Sequence, residues 1–142
     1  MIERTLAVVK PGAVKRGALG EIVHLVCWGG SLVPIVIQRQ EWSKEMAAHF
    51  YLEHGDKPFF KRLVEHAAEG PCYAMLLEGE DAVVRWRVMM GPTDPQAGDQ
   101  NRHDLRRDFG RGLPDNAVHG SADVEAALRE IDIMRYWFDW RL

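Results

Sequence analysis

His119 stands in the run Asn116-Ala117-Val118-His119-Gly120-Ser121, after a long polar stretch and just ahead of a segment with helical spacing. A histidine with a pKa near about 6.5 is largely neutral at pH 7, so a free ring nitrogen can attack phosphorus directly. Its other nitrogen needs an acceptor to fix the tautomer, and Glu130, on the flank of the last apolar stripe, can supply one. Lys10 ends the first apolar run, Arg87 comes late in a helical stretch and Arg106 lies in the polar stretch. An arginine offers phosphate a planar fork, a lysine a compact charge, and the Thr93 hydroxyl a further donor. There is no Gly-x-x-x-x-Gly-Lys-Ser/Thr and no Gly-x-Gly-x-x-Gly between a strand and a helix, so side chains rather than a backbone cradle must neutralise any phosphate. Taken singly, each basic residue reads as a solvated surface charge and His119 as a hydrogen-bonded structural histidine. Together they reach a candidate phosphate-handling site and no further.

The whole chain narrows the choices. At 142 residues it has the size of one domain with a real core, and 46% apolar with 27% charged residues is ordinary for a soluble globular protein. A formal charge of −3 disfavours nucleic acid as the main partner. Met1-Ile2-Glu3-Arg4 carries no secretory pattern. The longest uncharged run, Ile22 to Gln38, is broken by His24, Gly29-Gly30, Ser31 and Pro34, so it reads as a helix end, a turn and a strand rather than a membrane span. Cys27 and Cys72 sit in apolar segments and read as two buried thiols in a reducing cytoplasm. The six histidines include no pair at i, i+4, and there is no Cys-x-x-Cys, which disfavours a protein-held transition metal.

The elements that must position these residues follow from periodicity. Thr5 to Val9 reads as a buried strand ended by Pro11-Gly12. Leu19, Ile22, Val23, Val26 and Cys27 share a helix face, with Gly29-Gly30 as the stop. Leu32 to Gln40 is β-rich, and Pro34 marks an edge strand or a bulge. Ser43 caps a helix carrying Met46, Ala47, Phe50 and Tyr51 and closed by Gly55. Pro58 suits the first position of another helix, with Phe59, Leu63 and Val64 inward. Cys72 to Leu77 reads as a third strand, and Asp81 to Met90 as a helix stopped by Gly91-Pro92. Thr93 to Asn116 is a long loop, and loops of that length are functional or disordered. Ala117 to His119 is a short strand, and Asp123 caps a final helix striped by Val124, Ala127, Leu128 and Ile131. With the extra helices set aside the order is βαββαβ, which predicts an α+β, ferredoxin-like antiparallel sheet covered by helices.

The segment Asn116 to Ser121 closely resembles the active-site signature of nucleoside diphosphate kinases, and the resemblance extends over residues 1 to 132. Thr5 to Pro11, Arg16-Gly17 and Gly20-Glu21-Ile22 look like the family's opening. Phe50-Tyr51, Lys57-Pro58-Phe59-Phe60 and Leu63-Val64 look like its nucleotide-binding helices. Leu77 to Glu80, Arg87, Met90-Gly91, Thr93-Asp94-Pro95, Arg106 to Phe109 and Glu130-Ile131 follow in family order.

The resemblance implies one nucleoside diphosphate kinase-like domain over 1–142 with an aromatic-rich tail at 134–142. It implies transfer of the γ-phosphate of ATP or another nucleoside triphosphate to a nucleoside diphosphate, by a ping-pong route through phosphohistidine. Carried over position by position, His119 is the nucleophile, and Glu130, with Glu53 as a second candidate, orients it while Ser121 supports the site. Lys10, Arg87, Thr93 and Arg106 grip phosphates that carry Mg²⁺, with no metal ligand from the protein itself. Tyr51 lies beside the reacting phosphate, Asn116 and Lys10 meet the ribose, and Phe59 stacks on the base, with Phe60 in the core. The resemblance further implies a cytoplasmic homo-oligomer, a tetramer or a hexamer.

Three positions depart from the family pattern. Ala122 stands where an Asp usually follows the signature Ser. Lys10-Pro11-Gly12 replaces a frequent Lys-Pro-Asp. The run Asp99 to Arg106 replaces a Pro-Gly-Thr and is slightly longer. The changed run and Ala122 motivate a second reading, a catalytically silent nucleotide-binding relative. A third, a nucleic-acid-binding module on the same sheet, is opposed by the net charge.

Overall fold

The computed structural model describes residues 1–28 and 31–142. Four strands, β1 (Ile2–Val9), β2 (Val33–Glu41), β3 (Pro71–Glu80) and β4 (Val118–Gly120), form one sheet in the order β2-β3-β1-β4 with every neighbour antiparallel. Seven α-helices are described, α1 (Pro11–Lys15), α2 (Leu19–Cys27), α3 (Lys44–Phe50), α4 (Phe60–Ala67), α5 (Ala82–Met90), α6 (Leu105–Phe109) and α7 (Val124–Phe138), with a short 3-10 turn at Leu52–His54. This is the expected α+β order.

The continuous apolar run in β1 has a clear cause. Leu6 and Val8 pack with α3, α4 and α7, whereas Ala7 and Val9 pack with α1, α2, α5 and α6. Both faces of the central strands are covered, so alternation gives way to an unbroken apolar stretch. Burying each Leu- or Val-sized side chain stabilises by about 1.5–3 kcal/mol, which pins the register that carries Lys10 and His119. In that register Val8 lies opposite His119 and Val9 opposite Val118.

Several expectations are borne out in detail. Ser43 accepts from the Met46 amide at 3.0 Å and caps α3. β2 is an edge strand, and its register slips between Pro34 and Val36, so Pro34 marks edge and bulge together. Asp123 caps α7 through the Ala126 amide at 2.7 Å.

Other expectations are corrected. α4 starts at Phe60 with Phe59 as its N-cap, so Pro58 precedes the helix and Phe59 is turned outward, 49% exposed. Phe60 packs against the core, as expected. The long loop contains α6, whose cap Asp104 accepts from the Arg107 amide at 2.8 Å; a five-residue helix is too short to announce itself by periodicity. Nearby, Arg102 bonds the carbonyl oxygens of Ala97 and Pro95 and organises the altered run. Along α7, Ala127 and Ile131 are buried but Val124 and Leu128 are exposed, because the buried stripe moves on to Glu130, Ile133 and Met134. The aromatic tail is thus largely helix, and Trp140 donates to Gln38 Oε1 at 2.6 Å on the same chain, while Tyr136 points outward. Cys72 is buried, with its thiol pushed up to about 12 by burial, but Cys27 is exposed; both are free thiols. The Gly29-Gly30 stop lies outside the described residues. No helix among the described residues is long and apolar enough to cross a membrane.

Candidate active site

A cleft of about 470 Å³ opens beside β4 and gathers side chains from across the chain. His119 reaches it from β4, Lys10 from the end of β1, Tyr51 from the end of α3, and Phe59 from the start of α4. Arg87 comes from α5, Thr93 and Asn116 from the two ends of the long connection, and Arg106 from α6. Ser121 is the one expected site residue that does not line the cleft; it is fully buried behind it.

The turn into β4 is tight. Val118 donates to the Asn116 carbonyl at 2.9 Å across Ala117, whose φ of 73° is unusual for a residue with a Cβ. The Lys10 amide donates to the Ala117 carbonyl at 2.8 Å and ties this strained link to β1. Strain held this way is common at functional sites.

His119 is fixed on one side. Its Nε2 lies 2.8 Å from Glu130 Oε1, which also accepts from Ser121 Oγ at 3.0 Å. The rings of Phe50 and Tyr51 meet the imidazole edge to face, with centroids at 5.0 Å and 6.0 Å. Burial alone would push the Glu130 carboxyl up, yet the charge and hydrogen bond of His119, with Ser121 and Arg129, hold it below the usual range. An ionised carboxylate must accept, so Nε2 carries the hydrogen and Nδ1 is left with the free lone pair. Glu53 also lines the cleft, but it pairs with Arg129 at 3.4 Å instead of bonding His119. Arg129 in turn lies 3.6 Å from Glu130 Oε2, so any influence of Glu53 on His119 runs through two intermediaries.

Across the cleft the cations crowd one another. Burial, and then the charge of Arg106, bring the Lys10 ammonium down to about 7, against a weaker upward pull from Asp115. Burial, and then Arg87, bring Arg106 down to about 10. Lys10 Nζ donates to the Pro114 carbonyl at 3.3 Å. Arg106 is buried and donates to the carbonyls of Gly91 and Val118, with its Nε unpartnered. Asn116 donates to the Thr93 carbonyl at 2.8 Å while its Oδ1 is buried without a partner. Burial pushes the Tyr51 phenol up, so it stays protonated at neutral pH. Basic side chains gathered in one cleft form a site for a polyanion.

The comparisons with known proteins decide the matter. A family model described as nucleoside diphosphate kinase matches residues 3–140. The chain belongs to the nucleoside diphosphate kinase family. It is 39% identical over 139 residues to the nucleoside diphosphate kinase of Oleidesulfovibrio alaskensis, covering 98% of this chain and 96% of that one. With the enzyme of Campylobacter jejuni it shares 40% identity over 131 residues, covering 92% and 93%. Among solved structures, the Aquifex aeolicus nucleoside diphosphate kinase superposes with a TM-score of 0.90 at 38% identity, covering 94% of this chain and 95% of that one. The Halobacterium salinarum enzyme in complex with CDP superposes at 0.87 with 39% identity, covering 94% and 87%. This nucleoside diphosphate kinase is therefore a phosphotransferase acting between nucleotides, of a family that generally uses a divalent metal.

Sequence reasoning missed some residues that shape the cleft, namely His54, Arg62, Leu113 and Pro114. Leu113 is a large apolar residue in a polar stretch, and that mismatch was the available signal.

Proposed function

We propose that His119 is the phosphate carrier of this kinase and that Nδ1 is the atom that attacks. The supporting observation is the single hydrogen bond that commits Nε2 to Glu130, in a cleft whose other wall carries Lys10, Arg87 and Arg106. The Nδ1 lone pair forms the N–P bond as the bond from the γ-phosphorus to the bridging oxygen breaks. The electron pair leaves on the diphosphate product. The imidazole becomes a cation in this step, and the Glu130 carboxylate 2.8 Å away stabilises that charge. A nucleoside diphosphate then takes the phosphoryl group by the reverse displacement.

Lys10, Arg87, Thr93 and Arg106 neutralise and orient the phosphates, which is most of what phosphoryl transfer requires of a protein. The unpartnered Asn116 Oδ1 can accept from a ribose hydroxyl, with Lys10 as a second contact. Phe59 and Leu113, 49% and 52% exposed, offer the base apolar surface, which tolerates any base because every base has a π-face. Tyr51 lies beside the reacting phosphate and Ser121 holds Glu130 from behind.

Magnesium fits this reading as part of the nucleotide rather than of the protein. The acidic side chains that line the cleft, Glu53 and Glu130, both face Arg129, at 3.4 Å and 3.6 Å. Mg²⁺ bound to the phosphates would neutralise part of their charge. The whole chain, 1–142, acts as one domain in this reading, working on nucleotides of the cytoplasm. Self-association is supported by the β2 edge, where Val33, Ile35 and Ile37 stand exposed. Light scattering that returned a monomer at all concentrations would remove that part.

The central test is incubation with γ-labelled ATP and Mg²⁺ without an acceptor, followed by a chase with unlabelled GDP. Acid-labile, base-stable label that passes to GTP, and is absent from His119→Ala, is the expected result. No label on a wild type that still binds nucleotide would favour the silent relative instead.

A further inference from the structure

Behind the phosphate-binding cations lies a charge cluster that the transfer reaction does not use directly. The Asp115 carboxylate is gripped by Arg16, with Nη1 donating to Oδ2 at 2.6 Å and Nη2 to Oδ1 at 3.1 Å. Arg16 Nη2 also donates to the Phe109 carbonyl at 2.6 Å. One guanidinium therefore closes the segment 109–115 from both ends. The Asp115 carbonyl adds two bonds inside that segment, accepting from the Arg111 amide at 2.8 Å and the Gly112 amide at 3.2 Å. The segment carries Leu113, Pro114 and, one residue on, Asn116 into the cleft, and it presents the Pro114 carbonyl to Lys10 Nζ.

The carboxylate has room only because of what is missing opposite. A Cβ on Gly12, in α1, would fall 2.2 Å from Asp115 Oδ1 and 2.7 Å from its Cγ. That is far inside contact distance, so any side chain at position 12 competes with the Asp115 carboxylate for one volume. Here residue 12 is the glycine of Lys10-Pro11-Gly12, which leaves that volume to the carboxylate. The negative charge that faces Arg16 comes from Asp115, in a distant part of the chain. His66 completes the surroundings, with a buried Nε2 that has no hydrogen bond and lies 3.8 Å from Asp115 Oδ1.

We infer that Asp115 is a positioning residue for nucleotide binding, a carboxylate seated in the space left by Gly12 that latches the 109–116 segment to α1 through Arg16. It touches no reacting atom and does not line the cleft. It works by setting where Lys10, Pro114 and Asn116 stand, so it should govern how tightly a nucleotide is held and not how fast phosphate moves to His119. The inference rests on the reading of Lys10 and Asn116 as nucleotide contacts.

Steady-state exchange kinetics of the full chain test it. In Asp115→Asn, losing the charge in a part-buried Arg–carboxylate pair should raise KM for the diphosphate about tenfold, with kcat within about twofold. Gly12→Asp alone should raise KM as well, because two carboxylates contend for one space. The double variant Gly12→Asp/Asp115→Ala returns one carboxylate to Arg16 and should restore KM to within about threefold of wild type. A general loss of packing would not be rescued by adding a charged group elsewhere. If Asp115→Ala fails to fold, Asp115→Asn, which keeps the volume and an acceptor, carries the test. An unchanged KM in Asp115→Asn, or a double variant no better than its parents, overturns the inference. Lys10→Met separates the two readings. A raised KM there beside an unchanged KM in Asp115→Asn sinks only the latch. An unchanged KM in Lys10→Met removes the reading of Lys10 and the latch with it.

Discussion

Replacing Glu130 by Gln keeps the volume of a side chain that is only 2% exposed and removes its charge. Oε1 takes two hydrogen bonds, from His119 Nε2 at 2.8 Å and Ser121 Oγ at 3.0 Å, while Arg129 lies 3.6 Å from Oε2. During attack by Nδ1 the ring becomes cationic, and the bond to Glu130 changes from singly to doubly charge-assisted. A hydrogen bond to a charged group contributes about 1.5–3 kcal/mol and a neutral one about 0.5–1.5, so the amide loses about 1–1.5 kcal/mol of transition-state stabilisation. That corresponds to a rate of phosphorylation lower by about five- to twelvefold. The figure is a floor. An amide turned with its NH₂ toward Nε2 would favour the tautomer protonated at Nδ1, which has no lone pair to attack with. Rapid-quench measurement of a single turnover with γ-labelled ATP and Mg²⁺ reads this step directly. A burst rate within about twofold of wild type, from a variant that is folded at the assay temperature, would refute the argument. Stability gives a second check. The carboxyl is held below its ordinary value in the folded protein, so its contribution is present above the unfolded pKa of about 4.3 and is lost as pH falls through the folded value. The deficit of the Gln variant should therefore be full at pH 7 and close in strong acid.

Three further outcomes follow from the same geometry. Phe59→Ala should raise KM about tenfold across purine and pyrimidine nucleotides with little change in kcat, because stacking on an aromatic ring contributes about 1–3 kcal/mol; equal KM values for several nucleotides in both proteins would contradict stacking. Lys10 is brought down to about 7, so above that pH the free protein holds it neutral, and phosphate must restore its proton. Nucleotide binding should therefore take up a proton and weaken by up to about tenfold per pH unit between pH 7.5 and 9, as calorimetry in buffers of different ionisation enthalpy can show; equal uptake in Lys10→Met would exclude Lys10 as its source. Gly91 has φ 79° and ψ −171°, and a Cβ there would lie 2.2 Å from the Asp104 side chain that caps α6. Gly91→Ala should cost about 2–4 kcal/mol by denaturant unfolding and raise KM through Arg106; a cost below about 0.5 kcal/mol would mean that the turn yields freely.

Much of this protein was legible along the chain because the signals are local. Ser43, Asp123 and the Pro34 bulge act on backbone groups within a few residues, so their meaning survives without the fold. The unbroken apolar runs of β1 and β3 announced a sheet covered on both faces, and the order of elements announced the antiparallel topology. His119 and Glu130 stood eleven residues apart on consecutive elements, near enough for their pairing to be anticipated. What only the tertiary structure decided depends on groups that meet from distant positions. Which ring nitrogen of His119 is free follows from the direction in which α7 presents Glu130, and spacing does not encode that direction. That Glu53 serves Arg129 rather than His119 depends on where α7 crosses the end of α3. Phe59 turned outward because the cap of α4 fell two residues later than Pro58 suggested, and shifts of one or two residues lie below the resolution of periodicity. The contest between Gly12 and Asp115 for one volume exists only when β1 and β4 are paired, since packing, unlike capping, is a property of neighbours in space.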